Sequence, residues 1–366
     1  MQKKTIFITA LLSAVSTMLL CIAVWFFTLS DTDRLRLYIR LGYAGDYSES
    51  ALSEGAARGM MEALDDPYST YFTEEEYAMF MEEMDASYVG IGIEVSLKDE
   101  KMHVISVFPD SPAHEAGLLK DDILLQVDGL AVTPETYGDA IAKMRARDTE
   151  ENVLLTILRG EETLSLTLSR RSVTYETVLT ETYDGITYIR IRSFDSPTAG
   201  EMATAIETAE KQNSRGLVID VRDNPGGYLD SVTEIADMLL PKCTVVYTEN
   251  KKGERNALYE SDEDCTLLPV VLLVNENSAS ASEVLAGALK DNQRAQLVGQ
   301  KTFGKGSVQS IFKLKNGGVK LTIAHYYTAG GYIIDGNGVE PHLIVDNTEG
   351  QDLQLAKALE LLRNAS

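Results

Sequence analysis

The run Val274-Asn275-Glu276-Asn277-Ser278-Ala279-Ser280-Ala281-Ser282-Glu283 places a cluster of hydroxyls where an apolar strand gives way to a helix. A helix N-terminus presents unpaired N–H groups and a partial positive charge, which stabilise an alkoxide or the oxyanion formed when it attacks a carbonyl. The same residues also have a structural use. Ser280 and Glu283 fit the S-x-x-E capping box, and small side chains permit close packing, so the segment alone leaves both readings open.

A nucleophilic serine needs a base, and the chain has only four histidines: His103, His114, His325 and His342. There is no G-x-S-x-G elbow, and His325 alternates with apolar neighbours from Leu321 to Tyr327 as a strand residue does. A lysine can serve instead if burial or a nearby positive field depresses its pKa. Lys305 lies in Thr302-Phe303-Gly304-Lys305-Gly306-Ser307-Val308-Gln309, between glycines that admit unusual backbone angles and among aromatic and aliphatic residues that exclude water. An exposed loop lysine fits the same segment, as an ordinary tight turn fits Asn224-Pro225-Gly226-Gly227.

These residues need a frame, and from about residue 172 the pattern is α/β. A strand at 187–192, a helix near 198–212 and an apolar strand at 216–221 alternate as in a βαβ unit. The glycine turn follows, then a helix with Val232, Ile235, Ala236 and Leu239 on one side. A second strand-to-helix step runs from 269–274 into the serines. Residues 87–171 instead show short alternating strands, with Ile91, Ile93 and Val95, then Val153, Leu155 and Ile157. Two short helices interrupt them: one at 111–117, with Ser as N-cap and Pro preorganised at the first position, and one over Thr133–Arg147 carrying Tyr137, Ile141 and Met144 on one face. Residues 31–86 read as a helical arm. Leu52, Ala56, Met60 and Leu64 recur at helical spacing, Asp66-Pro67-Tyr68 forms a turn, and Thr73 with Glu76 makes a capping box.

From Thr5 to Ser30 there is no charged residue, enough helix to cross the roughly 30 Å hydrocarbon core of a bilayer. Lys3 and Lys4 before it and Asp31 after it imply a single-pass anchor, with the N-terminus cytoplasmic and the rest extracytoplasmic. A cleaved signal peptide competes, but the apolar run is long and no A-x-A-like site follows. The net charge of −23 repels phosphate backbones and argues against nucleic acid as a partner. Cys243 and Cys265 fall outside the membrane in this topology, where a bridge or two free thiols fit equally. No H-E-x-x-H pattern occurs, and His114-Glu115 belongs to a short helix, so no metal or cofactor is called for.

SASASE, KTFGKGSVQ, DVRDNPGG, DPYSTYF and YVGIGI together resemble the carboxyl-terminal processing peptidases, or tail-specific proteases, over about residues 55–345. The resemblance implies a crotonase-like α/β serine protease core over 172–366 with a Ser-Lys dyad. Ser280 is then the nucleophile, Lys305 the base and Gln309 its orienting partner, while the N–H groups of Gly226 and Ala281 form the oxyanion hole. Two departures stand out: Thr328-Ala329-Gly330-Gly331-Tyr332 replaces a Pro-Ser-Gly-Arg-like run, and His342 stands where an aspartate often follows the proline.

Tyr88-Val89-Gly90-Ile91-Gly92-Ile93 resembles the carboxylate-binding loop of PDZ domains, supported by SPAHEAGL and DDILLQVDG downstream. Val89, Gly90, Ile91 and Gly92 would then take a peptide's terminal carboxylate, and Tyr137 and Ile141 its last apolar side chain. The expectation is a membrane-anchored endopeptidase acting on proteins or peptides with accessible C-termini, able to self-associate through the arm. The alternative is a noncatalytic PDZ adaptor with a degenerate core.

Overall fold

Apolar runs without alternation, such as Leu217–Asp220 and Val270–Val274, bury both faces and so belong in the middle of a covered sheet. In the computed structural model, which describes residues 12–21, 24, 28–145, 152–348 and 350–364, they are the central strands of six. The order is Val178–Tyr183, Ile186–Ile191, Leu217–Asp220, Val270–Val274, Ala295–Gly299 and Leu343–Ile344; only the first pair is antiparallel. Leu217 and Ile219 pack on one face with helices Thr198–Lys211, Leu229–Leu239 and Ala281–Asp291. Val218 points to the other face, against Leu359 and Leu362 of helix Leu353–Asn364.

A second sheet lies beside this layered core. Strand Gly317–Thr328 pairs with Ser307–Leu314, with Thr244–Asn250 and with Thr70–Phe72. This corrects the helical reading of 31–86. Thr, Tyr and Phe favour a pleated, half-buried surface, and residues 70–72 add as a strand to the sheet built on Gly317–Thr328. Helix Glu74–Met84 follows, opened by the expected Thr73–Glu76 capping box.

The intervening residues form the expected PDZ-like module, a six-stranded sheet with its own core around Met102, Val104, Leu124 and Ile157. Ser111 caps helix Pro112–Glu115 as expected, and helix Tyr137–Met144 begins later than the Thr133 start. The expected end of that helix near 147 lies outside the described residues. The module enters and leaves through one antiparallel ribbon, Ser87–Gly90 against Arg171–Thr174.

The described residues divide into two compact units at 63/64. In the first, helix Asp31–Gly42 is capped by Ser30 and helix Glu49–Glu62 by Ser48; neither has a buried residue, so the Leu52–Ala56–Met60 stripe is not packed into a core. Part of the expected span at 5–30 lies outside the described residues; among them, no helix is long and apolar enough to cross a membrane.

One short segment joins the arm to the glycine turn. Phe194 N–H donates to Gly226 O at 2.9 Å, Tyr228 N–H to Phe194 O at 2.6 Å, and Ser196 N–H to Met84 O at 3.0 Å. Its Asp195 is buried, and burial, reinforced by Glu83 and Glu201, pushes the carboxyl up to about 6. A raised carboxyl contributes stability that is complete below its unfolded value near 3.8 and lost as pH rises through about 6. Urea denaturation from pH 4 to 7 is therefore expected to show a loss on the order of 2 kcal/mol from this group. Asp195→Asn should flatten that slope; an unchanged slope would show that another group carries it.

Candidate active site

The hydroxyls of the serine cluster divide by their partners. Ser278 Oγ donates to Val221 O at 2.7 Å and Ser282 Oγ to Asn224 O at 2.9 Å, so both fasten loop to backbone. Ser280 stands between them with φ 56° and ψ −114°, a left-handed conformation that costs a non-glycine residue about 1–3 kcal/mol. Strain of this kind survives only where the surroundings enforce it. Helix Ala281–Asp291 starts at the next residue, so the Ala281 N–H is one of the helix's orphan donors.

The glycine turn closes on this point. A Cβ built on Gly226, at φ +108°, would lie 2.8 Å from Ser280 Cβ and 3.1 Å from Ala281 N, so only glycine lets the backbones approach. Asn224 is fully buried and holds the approach together. Its amide donates to Ile191 O, its carbonyl accepts Ala279 N–H at 3.0 Å, and its Oδ1 accepts Gly226 N–H at 2.9 Å. The Gly226 donor is thus engaged within the protein.

Glu283 joins this half of the site to the lysine loop. Its fully buried carboxylate accepts four hydrogen bonds: Ser280 N–H at 2.9 Å, Thr302 Oγ1 at 2.6 Å, Gly304 N–H at 2.7 Å and Lys305 N–H at 2.8 Å. Burial pushes its pKa up, while these four donors pull the other way by stabilising the anion. Gly304 takes φ +95°, and a Cβ on Gly306 would stand 2.1 Å from Asp335 N. The two glycines thus answer different demands, one of conformation and one of space.

Lys305 Nζ lies 4.9 Å from the centroid of the Tyr68 ring. Burial holds its pKa below the ordinary lysine range and the charge on Lys320 adds to this, opposed by Glu283 and Asp66. Among the described residues no hydrogen bond joins Lys305 Nζ to Ser280 Oγ or to Gln309. The Gln309 amide donates instead to Ser307 Oγ at 2.8 Å and Thr322 Oγ1 at 3.3 Å. His325 is a strand residue 3.6 Å from Asp335, and His342 Nδ1 accepts Leu297 N–H at 3.0 Å. Cys243 and Cys265 are free thiols. The described residues contain no cluster able to hold a metal.

In the PDZ module, Val89, Ile91, Tyr137 and Ile141 line a cavity of about 630 Å³, joined by Tyr88 and Arg145. Gly90 ends strand Ser87–Gly90, and Gly92 lies in the loop that follows it. The Tyr88 ring covers Gly90, and Gly92 adopts φ +81° against Ser111.

Comparison with known proteins agrees with this architecture. Residues 185–345 match peptidase family S41, residues 89–169 the PDZ domain, and residues 36–76 the activating protease CtpB N-terminal domain. A carboxyl-terminal-processing protease of Synechocystis is 34% identical over 324 residues, covering 84% of this chain and 76% of the relative. The chain belongs to the carboxyl-terminal processing peptidase family. A probable CtpA-like serine protease of Staphylococcus haemolyticus is 35% identical over 308 residues, 83% of this chain and 62% of that one, so the chain spans less than two thirds of this longer relative. The photosystem II D1 C-terminal processing protease superposes with a TM-score of 0.53 at 29% identity, covering 87% of both chains.

Sequence reasoning treated Glu283 only as a helix cap and did not single out Asn224, Tyr68 or Asp335. The capping box was the one available signal for Glu283, because it foretold the bond to Ser280 but not the three bonds across to 302–305. Glu283→Ala leaves buried donors unsatisfied and is expected to destabilise the fold by about 2–5 kcal/mol in thermal melts. By displacing the loop it should also lower casein hydrolysis by roughly 100-fold, since catalysis falls by about that much for an ångström of misplacement. A fully active Glu283→Ala enzyme would show that the carboxylate does not position this loop.

Proposed function

We propose that this chain is a membrane-anchored, extracytoplasmic serine endopeptidase that captures substrate C-termini in its PDZ groove and hydrolyses peptide bonds with Ser280 and Lys305. The observation that carries the reading is the strained Ser280 at a helix start, touching Gly226 on one side and bound through Glu283 to the Lys305 loop on the other.

In this mechanism the neutral Lys305 amine takes the Ser280 proton as Oγ attacks the carbonyl carbon. The developing oxyanion accepts hydrogen bonds from Ala281 N–H and Gly226 N–H, the latter released from Asn224. Lys305 returns the proton to the leaving amine, and water then hydrolyses the acyl-enzyme. Gln309 orients the lysine once its amide leaves Ser307 and Thr322. Because the base must be neutral and burial depresses its pKa, activity should rise with pH through a limb below 10.5.

Residues 5–30 anchor the chain, with the N-terminus cytoplasmic and residues from 31 on outside. Carbonate-resistant pelleting lost on removal of residues 1–30 tests that placement. The exposed arm helices are the surface for self-association, read out by sedimentation of the full chain.

The catalytic test uses the full chain in detergent with casein and a fluorophosphonate probe. Labelling and hydrolysis should disappear in Ser280→Ala, and hydrolysis should fall by at least about 1,000-fold in Lys305→Ala. Hydrolysis persisting in both variants ends the dyad reading. An inert wild type that still binds peptide C-termini makes the chain a PDZ adaptor.

A further inference from the structure

Resting on the dyad reading, we propose that Tyr68 is a positioning residue for Lys305: its ring is the seat on which the ammonium waits, away from Ser280, until an occupied cleft draws the lysine off.

The seat is built rather than incidental. Asp66 organises the turn that carries the ring, accepting Tyr68 N–H on Oδ1 at 3.0 Å and the Ser69 hydroxyl on Oδ2 at 2.5 Å. Ser69, itself buried, accepts Thr322 N–H at 3.1 Å, and the next three residues pair with strand Gly317–Thr328 in the register Thr70–Lys320, Tyr71–Val319 and Phe72–Gly318. The ring is therefore fixed to the protease's own sheet. Lys305 Nζ faces it at 4.9 Å, within cation–π range, and has no hydrogen-bond partner among the described residues.

Gln309 is engaged by the strand on which this turn is fastened. Thr322 receives the Gln309 amide on Oγ1 and donates its own N–H to Ser69 of the turn. Both members of the expected Lys305–Gln309 pair are thus held by the Asp66–Thr70 turn or by its partner strand, and neither holds the other. An aromatic face attracts the ammonium and not the neutral amine, so the seat favours the form that cannot act as a base.

Around Lys305 the charged groups are Asp66 from the turn, Lys320 from strand Gly317–Thr328 and Glu283 from helix Ala281–Asp291. Asp335 faces Tyr68 from the 335–338 loop, paired with His325. Glu283 and Asp335 are committed to backbone N–H groups of the lysine loop. Among the described residues the seat alone contributes an aromatic face within cation–π range of Lys305, and it can be removed without altering any of these charges.

The experiment measures kcat/KM against pH for the full chain, beside Lys305→Ala. Tyr68→Leu keeps an apolar cover and removes the ring. It should lower the apparent pKa of the rising limb by about half to one unit, raising activity at neutral pH about 3–10-fold. Tyr68→Phe keeps the ring and should restore the wild-type limb. Tyr68→Met, with circular dichroism on every variant, gives the same reading should the leucine variant not fold.

A folded ringless variant whose limb does not move, or whose activity falls equally at every pH, overturns the seat and leaves the dyad standing. A phenylalanine variant that behaves like leucine also overturns it, because the hydroxyl would then be the active part. Lys305→Ala with wild-type turnover overturns the dyad reading itself, and the seat with it.

Discussion

A single buried carboxylate decides whether the two halves of this site share a geometry. Glu283 belongs to the helix that starts just after Ser280, yet three of its four hydrogen bonds reach residues 302–305. An anion in so dry a place is tolerated only because its donors are aimed at it in advance. Those donors are two loop N–H groups, one threonine hydroxyl and the N–H of Ser280. The charge therefore acts as a rivet: moving the lysine loop means leaving an unpaired carboxylate behind. The backbone strain at Ser280 is held in place by the same bond.

The rest of the site obeys the rule that buried polar groups find partners. The protein satisfies these groups from within. Asn224 Oδ1 occupies the Gly226 N–H, Ser307 and Thr322 take the Gln309 amide, and the lysine turns to an aromatic face. Each of these contacts is one a substrate or a neighbouring side chain could replace at little net cost, since one hydrogen bond is exchanged for another. A site arranged this way changes state by swapping partners rather than by exposing groups.

The alternation of strands and helices in the core was legible because its strands are continuous apolar runs, and Leu217–Asp220 and Val270–Val274 fall within the expected ranges. The N-caps at Ser111 and Thr73 were legible because their signals are local. Residues 70–72 were not, since three residues carry no period and their strand exists only because the edge of Gly317–Thr328 lies open to them. The site divides in the same way. Ser280 and Lys305 stood out by residue type and neighbours, whereas Asn224 and Tyr68 act through contacts to Ser282 and Lys305, 58 and 237 positions along the chain, that no local pattern encodes.

The ribbon formed by Ser87–Gly90 and Arg171–Thr174 makes the PDZ module an insertion, spliced into the chain between two stretches that both belong to the protease body. A domain hung from one flexible tether explores a sphere; one suspended from two hydrogen-bonded strands keeps only twisting and bending about that stem. On the proposed function, a peptide tail held by the module would then be carried along a narrow arc, with its direction of approach to Ser280 set by the orientation of the stem.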